Sequence, residues 1–236
     1  LKKEFSKALA HVISKSPALR FIIKKEALKQ FDNDYDVLYQ EIKNKQLEEG
    51  GSLETKLLQY LKNKDVLSQI DNEIPALTIF VPALPEEFFS AEKWNTQNEI
   101  PMVGVSLIES NNIPIYDSNG YEFVMKSDQI PAFPVLVVKE SERVIFRKNG
   151  KSNGAKGREF QSSSGKVFQF LDSSFDGQLK NANNSSKIYI GENGISQKVR
   201  DSYDIYASID GWQRDYIYYG ITPGIPTGEF SYEHKE

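Results

Sequence analysis

Through the first seventy residues apolar side chains recur every three or four positions: Phe5, Leu9, Val12 and Ile13, then Leu19, Ile22, Ile23 and Leu28. That spacing predicts helices that bury one face. Ser16-Pro17 separates the first two, as a side-chain N-cap followed by proline at the first helical position. A third short helix is expected to carry Val37, Leu38 and Ile42. Gly50-Gly51 breaks the pattern, and Ser52 then caps a helix whose apolar stripe is Leu53, Leu57, Leu58 and Leu61. Residues 1–73 therefore read as a small helical bundle.

At Pro75 the period drops to two. LTIFV (77–81), MVGVSLI (102–108), YEFVM (121–125), PVLVV (134–138) and RVIFR (143–147) read as strands. Turn signals at Asn111-Asn112, Ser118-Asn119-Gly120 and Glu140-Ser141 space them as in an antiparallel meander or sandwich, which makes 74–148 an antiparallel β domain. Asn119-Gly120 is the sharpest hairpin signal. Val135 to Val138 is apolar on both faces and should sit centrally, whereas Pro114 marks its strand as an edge.

Residues 149–186 are rich in Gly, Ser, Asn and Lys and read as a flexible loop or linker, with one docked island at Val167, Phe168, Phe170 and Leu171. In 187–236 a strand KIYIG, a helical stretch from Val199 to Ala207 and the run GWQRDYIYYG (211–220) suggest an α/β segment packing on the rest. The expected fold class is α+β: a helical bundle, a central β-sandwich-like domain and an aromatic-rich C-terminal segment.

Composition narrows the chemistry. With no cysteine, thiol nucleophiles, thiolate zinc sites and disulfides are excluded. His11 and His234 are the two histidines, both expected to face solvent, and they form no pair at metal-binding spacing. Neither G-x-x-x-x-G-K-[ST] nor G-x-G-x-x-G occurs. A net charge of -4 argues against nucleic acid as a partner. No run approaches the length of a membrane span.

Carboxylates survive this pruning. Glu86-Glu87, after LP and before FF, reads as a solvated helix start or as a cleft loop for a carboxylate-dependent hydrolase. Asp32, Asp34 and Asp36 alternate as Ca²⁺ ligands do, but the sixth and twelfth loop positions are Val37 and Lys43 where Gly and Glu belong. The competing reading is an Asx turn with Asp36 as a helix N-cap. YDSNG (116–120) likewise reads as a Ca²⁺ loop or a hairpin turn. As a strand, the C-terminal run would place Trp212, Arg214, Tyr216 and Tyr218 on one face. Such a row can stack on sugars, or it can seal an internal seam in which Arg and Asp pair.

FSKALAHVISKSPALRFIIKKEALKQFDNDYDVLY, EIPMVGV and WQRDYIYYGITP together resemble an uncharacterised group of secreted proteins and lipoproteins of Bacteroidetes. The resemblance implies an export signal ahead of Leu1, often with a lipidated cysteine, and further sequence beyond Glu236. It carries no catalytic or binding residue. The expected function is a non-catalytic secreted or cell-envelope recognition or scaffold module, with a glycan or an envelope protein as partner. The alternatives are a glycan-binding module using the C-terminal aromatics and a carboxylate hydrolase. No cofactor is expected beyond the Ca²⁺ reading of Asp32, Asp34 and Asp36.

Overall fold

The computed structural model describes residues 1–84, 88–107, 110, 112–127, 129–148, 157–179, 197–200, 203–207, 218–223 and 230–233. Helix α1 (Lys2–Lys15) buries Phe5, Ala8, Leu9, Val12 and Ile13, and Ser16 then caps α2 (Pro17–Ala27) by accepting from the Leu19 N–H at 2.9 Å. α3 (Tyr39–Ile42) is a single turn. α4 (Leu53–Tyr60) starts in a reciprocal capping box between Ser52 and Thr55, and α5 (Val66–Glu73) leads into the sheet.

The main sheet has six strands in the order β1 (Asp36–Leu38), β2 (Leu77–Phe80), β6 (Val135–Glu140), β3 (Met102–Val105), β4 (Asn112–Tyr116) and β5 (Glu122–Lys126). β3 and β6 run parallel and every other pair is antiparallel, so the sheet is mixed rather than a meander. The all-apolar Val135–Val138 run sits centrally, as its two-faced burial requires.

One hydrophobic cluster runs from Phe5 in α1 through Leu57 and Ile70 to Val103, Ile115 and Val138. Helices and sheet thus share a core instead of forming a bundle beside a sandwich. The expected helix at Val37 and Leu38 is the strand β1, because Val37 pairs with Ile79 and Leu38 with Thr78. A free sheet edge offers those backbone groups partners that a three-residue helical start cannot. Pro114 lies in β4, between β3 and β5, so it does not mark an edge. The β3–β4 ladder stops at Gly104↔Ile115, one residue short of Pro114, so the missing N–H interrupts nothing.

A second sheet forms in the order β7 (Val144–Phe146), β9 (Val167–Phe170), β8 (Glu159–Gln161): β7 is the strand expected at 143–147, β9 is the expected docked island, and β8 lies where a loop was expected. Its core joins Val144, Phe168, Phe170 and Phe175 to Leu38. Leu38, Thr78 and Lys139 are cross-strand neighbours, on the face opposite Val37, Ile79 and Val138. The small sheet therefore meets the large one at Leu38 of β1, on the face opposite Val37, whose side packs with the helices. The backbone of β10 (Gln197–Arg200), β11 (Tyr203–Ala207), β12 (Tyr218–Pro223) and β13 (Phe230–Glu233) forms a four-stranded antiparallel sheet. The helix expected at Val199 to Ala207 is thus two strands.

Candidate functional site

The turn from α2 into β1 brings the three aspartates to the Leu38 face of the large sheet. Asp32 and Asp36 are fully buried and Asp34 is half-buried. They meet two cations from the end of β6 and the bend beyond it. Lys139, at the next outward position after the apolar run, lies 3.3 Å from Asp36 Oδ2 and 2.7 Å from Glu142 Oε2. Arg143 Nη2 lies 3.1 Å from Asp34 Oδ2, and its Nη1 donates to the Asp32 carbonyl at 3.1 Å. Both cations also sit over rings, Lys139 over Phe80 at 4.7 Å and Arg143 over Phe175 at 5.5 Å.

Asp34 donates its N–H to Asp32 Oδ1 at 3.2 Å, an Asx turn as the alternative reading had it, although Asp36 begins a strand and caps no helix. Burial, and then the charge of Asp36, push the Asp32 carboxyl well above the ordinary range, against the opposing pull of Arg143 and Lys139. Lys139 and Arg143 supply the positive charge that a cation would bring. Among the described residues no group of three or more His, Asp or Glu is arranged to hold a metal ion.

Beside this cluster opens a cleft of about 350 Å³. Phe31, Phe160 and Phe170 form its aromatic wall, with Phe160 5.8 Å from Phe31 and 5.0 Å from Phe170. Glu26, Asp36 and Glu41 line it too, and each is engaged. Glu26 lies 2.6 Å from Lys29 and also pairs with Lys45, Asp36 faces Lys139, and Glu41 Oε2 accepts from Ser163 Oγ at 2.5 Å. Arg158 completes the rim, held by a two-point pair with Asp176 at 2.5 and 3.0 Å.

The remaining sequence candidates separate. Asp117 of YDSNG closes a hairpin, its Oδ1 accepting from the N–H groups of Asn119 and Tyr121 at 2.9 and 2.8 Å. His11 is half-buried rather than solvent-facing, its ring stacked on Tyr60 at 4.8 Å. Trp212, Arg214, Tyr216, Glu86, Glu87 and His234 lie outside the described residues, and Tyr218 opens β12 in register with Glu233. Among the described residues no helix is long and apolar enough to cross a membrane.

Sequence reasoning missed Lys139, Arg143 and the cleft wall. A lysine following directly on an apolar run buried on both faces was the available signal, since such a residue must find a buried counter-charge. Comparison of the chain with protein-family models, curated proteins and solved structures finds no match.

Proposed function

We propose that the protein is a non-catalytic recognition module of the cell envelope that takes a short saccharide in the cleft walled by Phe31, Phe160 and Phe170. The engagement of the lining carboxylates carries this reading. A glycosidase needs one carboxyl that protonates the leaving group and a second that attacks or activates water. Glu26 and Glu41 are held by hydrogen bonds from a lysine and a serine, and Asp36 is fully buried facing Lys139, which favours binding over turnover. The half-buried rings of Phe31 and Phe160 suit the C–H face of a sugar ring, backed by Phe170, which is 1% exposed beneath Arg158, and Arg158, Gln161 and Gln178 on the same rim offer donors to hydroxyls. The envelope location rests on the resemblance noted above.

Isothermal titration of the full chain with soluble mono- and disaccharides, alongside a reducing-end assay, tests both parts. The expected result is saturable binding, lost in Phe160→Ala, with no new reducing ends. Hydrolysis abolished by Glu41→Gln would replace the module with an enzyme. Absence of binding to every sugar would remove the ligand class.

A further inference from the structure

The two edges of the large sheet differ. At one end all three residues of β1 are buried. At the other, β5 exposes Glu122, Phe123, Val124 and Lys126, with Val124 53% exposed and Tyr121, just before the strand, 76% exposed. β4 is its one strand neighbour among the described residues, and β5 has no proline to block a further ladder.

The direction of the backbone groups follows from the hairpin. Asp117 donates its N–H to the Tyr121 carbonyl at 3.1 Å, so these two form a hydrogen-bonded pair. Alternation then makes Ile115/Phe123 and Ile113/Met125 the bonded pairs of the ladder, and turns the N–H and C=O of Glu122, Val124 and Lys126 outward. Gln129 already serves Lys126, accepting from its N–H at 2.9 Å and donating to its carbonyl at 3.0 Å. The outward groups of Glu122 and Val124 have no protein partner among the described residues.

We propose that β5 pairs antiparallel with β5 of a second copy of this chain, about a two-fold axis at Phe123. This register gives every outward group of Glu122 and Val124 a partner and leaves the Lys126–Gln129 contacts intact. Phe123 then faces Phe123 of the second copy. The charges are self-complementary: Glu122 lies diagonally across from Lys126 of the second copy on the same sheet face, roughly 7–8 Å away and within reach of a lysine. An isologous contact of this kind closes on itself and forms a dimer rather than a fibre.

Because the chain has no cysteine, single-cysteine variants report the register directly. A non-hydrogen-bonded antiparallel pair has its Cα atoms about 4.5 Å apart, a span a disulfide bridges. Phe123→Cys should give a disulfide-linked dimer under mild oxidation, and Tyr121→Cys should not. In sedimentation velocity the parent chain should run as a dimer. Val124→Glu, which sets a like charge opposite Glu122 of the second copy, and Val124→Pro, which removes an outward N–H only, should both run as monomers with unchanged far-UV circular dichroism. A monomeric parent chain, a dimer that survives both Val124 variants, or equal cross-linking at 121 and 123 overturns the proposal. If Phe123→Cys fails to fold, the exposed Val124 variants decide the question alone.

Discussion

Lys139 holds its ammonium 3.3 Å from the carboxylate of Asp36, with the two side chains 1% and 0% exposed. The pair joins the central strand of the sheet to its covered edge strand. Taking two charges out of water is costly, and removing one of them strands the other. Lys139→Met should therefore cost about 3–5 kcal/mol. The double variant Asp36→Asn/Lys139→Met should recover much of that loss, and urea unfolding of the two measures the difference.

Asp32 gives the cluster a pH signature. Its carboxyl is held well above the ordinary range by burial and by Asp36. A group that binds its proton more tightly folded than unfolded adds stability below its unfolded pKa, near 3.9, and loses that stability as pH rises through the raised folded value. Asp176 behaves oppositely. Burial pushes it up, but the hydrogen bond from Arg158 and others bring it below the ordinary value, so its contribution is present above pH about 4 and lost as pH falls further. Asp32→Asn keeps the backbone carbonyl that Arg143 uses, and should flatten the decline of unfolding free energy that begins as pH rises above about 4. Asp176→Asn should flatten the acid side instead.

Gly120 combines a φ of +75° with close neighbours, since an added Cβ would stand 2.6 Å from His11 Nε2 and 2.9 Å from Lys7 Cε. Gly120→Ala should cost roughly the 1–2 kcal/mol of a left-handed alanine, because the Lys7 and His11 side-chain ends can swing aside while the backbone conformation cannot change. A lower thermal midpoint than that of Asn119→Ala, in the same turn, checks it.

Arg20 is 2% exposed and donates to backbone carbonyls of three residues, Ile13 and Thr96 at 2.6 Å and Gln97 at 3.1 Å. It closes the end of α1 and ties α2 to the loop that carries Trp94. Arg20→Met leaves those carbonyls buried or half-buried without a donor, at about 1–3 kcal/mol for each orphaned group. Arg20→Lys should restore only part of the loss, because a single ammonium cannot span the fork. Chemical denaturation of both variants gives the comparison.

Much of the fold was legible because local signals and tertiary needs agree. Ser16-Pro17 and Ser52 cap the helices they announce, and the apolar run at Val135 marks the central strand. The misreadings have physical causes. Val37 and Leu38 fit either a helix face or a strand, and only the distant β2 decides between them. Phe160 sits in a polar stretch whose composition suggests a loop, yet a short strand forms there because β9, itself paired to β7, supplies a template. A parallel pair leaves no turn signature, so the β3–β6 neighbourhood was invisible. Of the site, the aspartates were legible as a spacing. Their partners were not, because Lys139 and Arg143 lie a hundred residues away in the chain.

The position of β6 has a consequence for synthesis. β2 and β3 meet only through it, so the nascent chain carries a helical half ending at β2 and a hairpin half beginning at β3, each with a bare inner edge, until Val135–Glu140 leaves the ribosome. Assembly then proceeds by inserting one strand into a waiting gap rather than by adding strands in turn. A chain stalled short of residue 135 presents two sticky rims, and it should be the form that chaperones retain.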